Sequence, residues 1–171
     1  MSNDPLIPIV DKNDNIIAYK PRSGLVDGDI GRITCLWVTN DQGQVLIAQR
    51  SWKKQKNPGL WSAAVAGTVE KDETYESNMI KEAEEEIGLL GVQLNPVLKF
   101  FYPTTKPFFC QVFHAVVNQP LDYFRRKIDE VEQLAWIPYP HLERDIIESP
   151  GKYVPSFPTL MRELKILYPG A

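Results

Sequence analysis

Residues 67–89 of the 171-residue chain read GTVEKDETYESNMIKEAEEEIGL, and most of what the sequence predicts rests on this stretch. Glu82 and the run Glu84 to Glu86 place four carboxylates within five positions. From about residue 74 to residue 87 the apolar residues recur at helical spacing. Thr74 is a favourable N-cap, and Gly88 is a favourable residue just past the helix end. The stretch is therefore predicted to form an amphipathic helix with a dense acidic cluster.

A helical wheel at about 100° per residue shows how the helix would be oriented. One arc is apolar and is expected to pack on a sheet; it contains Tyr75, Met79, Ile80, Ala83 and Ile87. Glu82, Glu85 and Glu86 share a neighbouring arc, because residues three or four positions apart lie on one side of a helix. Glu86 projects into the edge of the apolar arc, where a solvated acidic face would not place it.

Carboxylates that converge at a half-buried edge need a compensating cation. Ligand sets made of oxygen alone favour hard ions, so the cofactor expected here is Mg²⁺ or Mn²⁺. On the wheel alone, the alternative is a solvated acidic helix that binds no ligand.

The wider spacing of the stretch resembles the Nudix box, G-x5-E-x7-R-E-U-x-E-E-x-G-U, in which U is a bulky apolar residue. The positions that match its fixed residues are Gly67, Glu73, Glu82, Glu85, Glu86, Gly88 and Leu89. Two positions depart from it. Lys81 stands where the family has arginine, which keeps the charge but loses the planar fork. Ala83 is smaller than the usual apolar residue.

The resemblance implies a metal-dependent hydrolase of a nucleoside diphosphate linked to another group, X. It implies that Glu85 and Glu86 are the principal metal ligands and that Glu82 either binds metal or acts as the general base. The backbone carbonyl of Ala66 matches a further metal ligand. The expected partner is thus a small-molecule diphosphate substrate.

Other candidate residues surround this metal set. Lys81 and Glu73 match an ion pair that braces the loop against the helix, and with Glu82 they form the candidate catalytic residues. Basic groups to bind the substrate are expected after the strand QVLIAQR; they are Arg50 and the loop residues Lys53, Lys54 and Lys56. For the lysines, a solvated basic loop is an equal alternative. Some family members take a further ligand or base from a later loop, and Glu130 and Glu132 lie in the corresponding part of the chain.

Elsewhere the chain alternates between strand and helix patterns. Residues 6–20 predict an N-terminal hairpin, and residues 33–40 and 44–50 a second hairpin around Asp41-Gln42-Gly43. Residues 60–67 predict one short buried strand, and further strands are predicted at 92–102, 108–117 and 131–138. C-terminal helices are predicted at 142–147 and 157–167. The predicted fold is α/β: a Nudix-like α/β/α sandwich with a central mixed sheet, a loop–helix–loop box at 67–89 and a β-hairpin at about residues 5–20, in one domain over residues 1–171.

Composition limits the binding partners and the cellular compartment that are expected for this chain. A formal net charge of −3 gives no basic footprint, so nucleic acid is not an expected partner. Cys35 and Cys110 lie in apolar runs, as buried thiols of a reducing compartment do. The start MSNDPL has no signal-peptide pattern, and no apolar run is long enough to span a bilayer. A cytoplasmic protein without membrane contact is expected. A homodimer is possible by analogy with the fold.

Two other functions stay open. A Nudix-fold domain can lose catalysis and act as a module that binds a ligand or a protein. The stretch from Cys35 to Gly67 also looks like the isopentenyl-diphosphate isomerase branch of this fold. That isomerase has a catalytic cysteine where this chain has Ala66 and a histidine ligand where it has Thr68, so isomerase activity is the less favoured alternative.

Overall fold

The computed structural model describes residues 4–167, and strand or helix structure forms in each segment where it is predicted. The strands are β1 Leu6–Val10, β2 Ile16–Pro21, β3 Gly31–Thr39, β4 Gln44–Arg50, β5 Trp61–Ala63, β6 Val65–Thr68, β7 Asn95–Tyr102, β8 Phe108–Val116 and β9 Val131–Pro138. The helices are α1 Tyr75–Ile87, α2 Tyr139–Glu148 and α3 Phe157–Leu167. No helix in this described range is long and apolar enough to cross a membrane.

Strand β3 lies at the centre of a mixed sheet. It runs parallel to β8 and antiparallel to β6, with Cys35 opposite Val112 on one side and Ala66 on the other. Strand β7 extends the sheet beyond β8, and β4 meets β3 only near their shared hairpin. The rest of β4 pairs with β5 and β9. The predicted mixed sheet between helices is confirmed.

The two faces of β3 pack on different helices, because successive side chains of a strand point to opposite sides. Leu36 and Val38 belong to a buried cluster that includes Met79 of α1. Cys35 and Trp37 belong to a second cluster, which includes Leu142 of α2 together with Phe157 and Leu164 of α3. Helix α1 and the two C-terminal helices therefore cover opposite faces of the sheet.

The N-terminal hairpin packs on the sheet. Its turn residue Asp14, at φ 63°, accepts hydrogen bonds from Arg32 in β3 at 2.7 Å and from Lys99 in β7 at 2.7 Å. The hydroxyl of Tyr75, the first residue of α1, donates to the same carboxylate at 3.1 Å. One buried aspartate thus joins the hairpin, the sheet and the start of α1.

Two details differ from the sequence prediction. Residues 60–67 form two short strands instead of one, because β5 pairs with β4 while β6 pairs with β3, and Ala64 lies between them. Ile80 was predicted to face the sheet, but half of its surface is exposed (50%). The buried arc of α1 includes Asn78 instead, so the helix is rotated towards its polar side relative to the apolar arc.

Candidate active site

Helix α1 carries the acidic cluster, and its ends are held as predicted. Thr74 is the N-cap: its hydroxyl accepts from the backbone N–H of Ser77 at 3.0 Å, and the Ser77 hydroxyl accepts from the N–H of Thr74 at 2.9 Å. At the other end Gly88 adopts the left-handed conformation, at φ 67°, and donates to the carbonyl of Glu84 at 3.0 Å. The glutamates between these caps lie on a fixed helical frame.

Glu86 lies where the wheel predicts, at the buried edge of α1. Burial, followed by the charges of Glu82 and Glu130, raises the pKa of its carboxyl to about 8. Lys54 and a backbone hydrogen bond from Ala66 oppose this rise. Glu86 is therefore a carboxylate that ionises readily only when more positive charge comes close.

Glu82 lies one helical turn before Glu86 and packs directly over Gly67 in β6. A Cβ atom on Gly67 would lie 2.3 Å from Cγ of Glu82 and 2.9 Å from Oδ1 of Asn78. Burial raises the pKa of the Glu82 carboxyl; the nearby Lys81 opposes this, and Glu85 adds to it. The first glycine of the box is thus needed for close approach, because any side chain there would displace Glu82.

Asn78 is a buried residue of the site that the sequence analysis did not identify. Its side-chain NH₂ donates to Oε2 of Glu73 at 2.9 Å and to the carbonyl of Thr68 at 3.1 Å, and Oε1 of Glu82 lies 3.5 Å away. Its carbonyl oxygen accepts from the hydroxyl of Thr34 in β3 at 2.5 Å. One available signal was its position, four residues before Glu82 on the same side of the helix.

Lys81 and Glu73 form the predicted bracing pair. The Lys81 ammonium lies 2.9 Å from Oε1 of Glu73 and 3.8 Å from Glu70. Burial by itself would raise the pKa of Glu73, but hydrogen bonds from Lys81, from the Glu70 backbone and from Asn78 outweigh it and lower that pKa. Lysine therefore holds the loop carboxylate in the place of arginine, although with one contact to it where a guanidinium could make two.

The remaining candidate ligands lie at different places around this centre. Glu85 is exposed, although its charge acts on Glu82. Ala66 is exposed at the edge of β6 and contacts Glu86 through its backbone. The charge of Glu130 contributes to the raised pKa of both Glu82 and Glu86, whereas Glu132 lies near Lys53. The structure thus brings Glu130 to the box glutamates from a distant part of the chain.

Pairing of β4 with β9 determines where the basic loop lies. The backbone N–H of Ser51, just after β4, donates to the carbonyl of Glu130, just before β9, at 2.9 Å. Lys53 then pairs with Asp129 at 2.6 Å, and Lys54 pairs with Glu130. These two predicted substrate-binding lysines are therefore engaged with carboxylates of the facing turn.

Arg50 supports the same loop. Its Nε and Nη2 both donate to the carbonyl of Lys56, at 3.1 and 3.0 Å. The guanidinium thereby holds the loop from the end of β4, next to the strands that lead to the box. Arg50 and Lys56 also line a cavity that borders Ala66.

The residues present suit a divalent cation chemically. Glu82, Glu86 and Glu130 offer only hard oxygen atoms, and Lys54 is the cation that acts on Glu86. In the described part of the chain, however, no three carboxylate, imidazole or thiol groups already converge as a metal site. The set is a negatively charged centre whose side chains would have to draw together around an ion.

Known proteins are similar to this chain in sequence. The model of the NUDIX domain matches residues 30–157. An uncharacterised Nudix hydrolase of Pseudomonas aeruginosa is 32% identical over 138 residues, which is 80% of this chain and 80% of that protein. An isopentenyl-diphosphate Δ-isomerase of Salmonella paratyphi B is 29% identical over 126 residues, 70% of this chain and 68% of the enzyme.

Solved structures agree on the fold. A Deinococcus radiodurans protein superposes with a TM-score of 0.80 at 23% identity, covering 92% of this chain and 97% of that one. The Nudix domain of Shewanella oneidensis NrtR, crystallised with ADP ribose, gives a TM-score of 0.63 at 14% identity and covers 93% of this chain and 99% of that domain. With the box residues in place on α1, the chain belongs to the Nudix hydrolase family, whose members cleave phosphoric anhydride bonds.

Proposed function

We propose that this protein is a Mg²⁺- or Mn²⁺-dependent hydrolase that cleaves the diphosphate linkage of a small molecule, in the general case a nucleoside diphosphate linked to a group X. The observation that carries the proposal is the nearness of Glu130 to Glu82 and Glu86 of α1: besides burial, the charge of Glu130 raises the pKa of both carboxyls. Three carboxylates near two lysines, Lys54 and Lys81, leave an excess of acidic groups that attracts cations. A purely structural helix would gain nothing from burying them.

Each residue of the candidate site then has a role. A bound divalent ion would neutralise the diphosphate and make water more acidic. Glu86, Glu85, Glu130 and the Ala66 carbonyl would hold such ions. Glu82, whose burial makes its carboxylate more basic than a solvated one, is placed to accept the proton of the attacking water.

The remaining groups of the site keep that base in position and balance its charge. Lys81 and Asn78 hold Glu73, and Asn78 also borders Glu82, so the loop and the helix stay in register. When the water oxygen bonds to phosphorus, the bridging P–O bond breaks and one phosphate group leaves. Lys54 lies close enough to Glu86 to offset part of the negative charge before a cation binds.

A hydrolysis assay tests the proposal. The purified protein is incubated with Mg²⁺ or Mn²⁺ and with nucleotide sugars, dinucleoside polyphosphates, ADP-ribose, nucleoside triphosphates or isoprenoid diphosphates, and the products are identified. Glu86→Gln should lower turnover by about 100-fold or more, since it removes a metal-facing charge but keeps the shape. Glu84→Gln, an exposed glutamate of the same helix, is the matched control and should stay near the wild-type rate. Full activity in Glu86→Gln would contradict the assignment.

A catalytically silent binding module is the second candidate, and one observation favours it: the acidic side chains do not already form a compact metal site. Such a module would show ligand-dependent thermal stabilisation without product release. Isomerase activity has less support, because Ala66 and Thr68 occupy the positions of that enzyme's cysteine and histidine. The isomerase relatives support the shared fold and a diphosphate ligand more than the isomerisation step.

A further inference from the structure

A cavity of about 410 Å³ opens beside the acidic centre, on the face of the sheet that α3 covers. Ala66 and Gly67 form part of its wall, and Ala66 also makes the backbone hydrogen bond to Glu86. The cavity and the carboxylates therefore lie on two sides of the same short strand, β6. A molecule whose phosphates reach the carboxylates would place its organic part in this cavity, whose size is typical of small-molecule sites.

Polarity changes sharply from the rim of the cavity to its interior. Apart from Gly67, the fully buried lining residues are all apolar: Ile7, Cys35, Ala63, Cys110, Phe157 and Leu160. Two charged lining residues, Asp29 and Arg32, have mostly buried side chains that form ion pairs with Lys20 and Asp14. The others, Arg50, Lys56 and Lys106, are exposed or half-exposed and give the rim positive charge. The cavity thus has a cationic mouth and an apolar interior.

The interior also offers few free hydrogen-bonding groups. The neighbouring thiol of Cys110, together with burial, raises the pKa of the Cys35 thiol. The backbone of β3 is paired on both sides, with β6 and with β8. Within residues 4–167, no buried side-chain nitrogen or oxygen lacks a partner. A nucleobase or sugar buried there would leave polar atoms unpaired, at a cost of about 1–3 kcal/mol each.

We propose that this cavity binds an apolar alkyl, alkenyl or aryl group, so that the substrate is an amphiphilic organic diphosphate with its phosphates at the carboxylates of α1. This inference rests on the proposed function, which places the diphosphate there. In the reaction, the water oxygen bonds to one phosphorus and the bridging P–O bond breaks. The products are the organic monophosphate and orthophosphate, and one proton is released.

Geranyl diphosphate and ADP are a suitable pair of probes, because both carry a terminal diphosphate and differ in the organic group. Calorimetric titration of each into the wild-type protein with Mg²⁺ should show geranyl diphosphate binding at least about tenfold more tightly. Equal or tighter binding of ADP, or no binding of either probe, would overturn the inference.

Two variants locate the bound group. Ser156→Trp adds a large side chain at a half-exposed lining position and should reduce the affinity for geranyl diphosphate by about tenfold or more. Arg162→Trp, on the solvent side of α3, is the control and should leave it unchanged. Cys110→Ser nearly keeps the side-chain volume but adds a hydroxyl to the interior of the cavity, and should weaken the binding of geranyl diphosphate severalfold. Thermal melts without ligand check that each variant is folded. Unchanged affinity in both Ser156→Trp and Cys110→Ser would contradict binding in this cavity.

Product analysis separates this inference from the hydrolase proposal. If geranyl diphosphate binds preferentially but no diphosphate is hydrolysed, the apolar cavity is supported and the hydrolase proposal fails. If ADP-ribose or nucleotide sugars are hydrolysed more efficiently than geranyl diphosphate, the hydrolase proposal stands and the inference about the cavity fails.

Discussion

Replacing Glu86 with glutamine should make the metal-free protein more stable at alkaline pH. The folded-state pKa of about 8 lies above the ordinary value of 4.5. Between these values the folded protein binds more protons than the unfolded chain, so the free energy of unfolding falls as pH rises through this window. The gap corresponds to at most about 5 kcal/mol, at about 1.4 kcal/mol for each pKa unit, and water reaching the carboxyl reduces it to a few kcal/mol.

Urea denaturation with a chelator present measures this effect. At about pH 5 the wild-type protein and Glu86→Gln should have similar free energies of unfolding, whereas at about pH 8.5 the variant should be more stable by a few kcal/mol. Glu84→Gln should follow the wild type at both values. Adding Mn²⁺ at the higher pH should stabilise the wild type and leave Glu86→Gln nearly unaffected. Identical pH dependence in wild type and Glu86→Gln would refute the buried, charge-crowded carboxylate.

Three further substitutions test the surroundings of the site. Gly67→Ala places a methyl group against Glu82, a flexible side chain that can move, so we expect a folded protein with turnover reduced by about 100-fold, measured by melting and phosphate release. Asn78→Leu removes the close acceptor of the buried Thr34 hydroxyl and one of the hydrogen bonds to the Glu73 carboxylate, and should cost about 1–3 kcal/mol in urea denaturation. Lys81→Met should have a lower free energy of unfolding than the wild type at neutral pH, and the two values should converge in acid. The reason is that the pKa of Glu73 is lowered, so its pair with Lys81 is stabilising only while the carboxylate is ionised. Lys81→Arg should keep the wild-type pH dependence.

Local signals accounted for most of the elements. Thr74 and Gly88 marked the ends of α1 because capping depends on neighbouring backbone groups alone, and Gly43, at φ 72°, marked the turn between β3 and β4 for the same reason. The error at residues 60–67 had a non-local cause. An apolar run gives no sign of which neighbour it pairs with, and the chain changes partner at Ala64 from β4 to β3.

The sequence by itself determined that Glu82, Glu85 and Glu86 share one region of a helix, since positions three and four apart adjoin in any α-helix. Its resemblance to the Nudix box also implied the Lys81–Glu73 pair. The tertiary structure alone decided what meets these groups. Pairing of β4 with β9 brings Glu130 close to the glutamates of α1. The same pairing brings Asp129 and Glu130 to the lysines of the basic loop. The close contact of β6 with α1 makes Asn78 part of the site. The reason is physical: helix periodicity acts over one turn, whereas strand pairing and cavity shape depend on segments far apart in the chain.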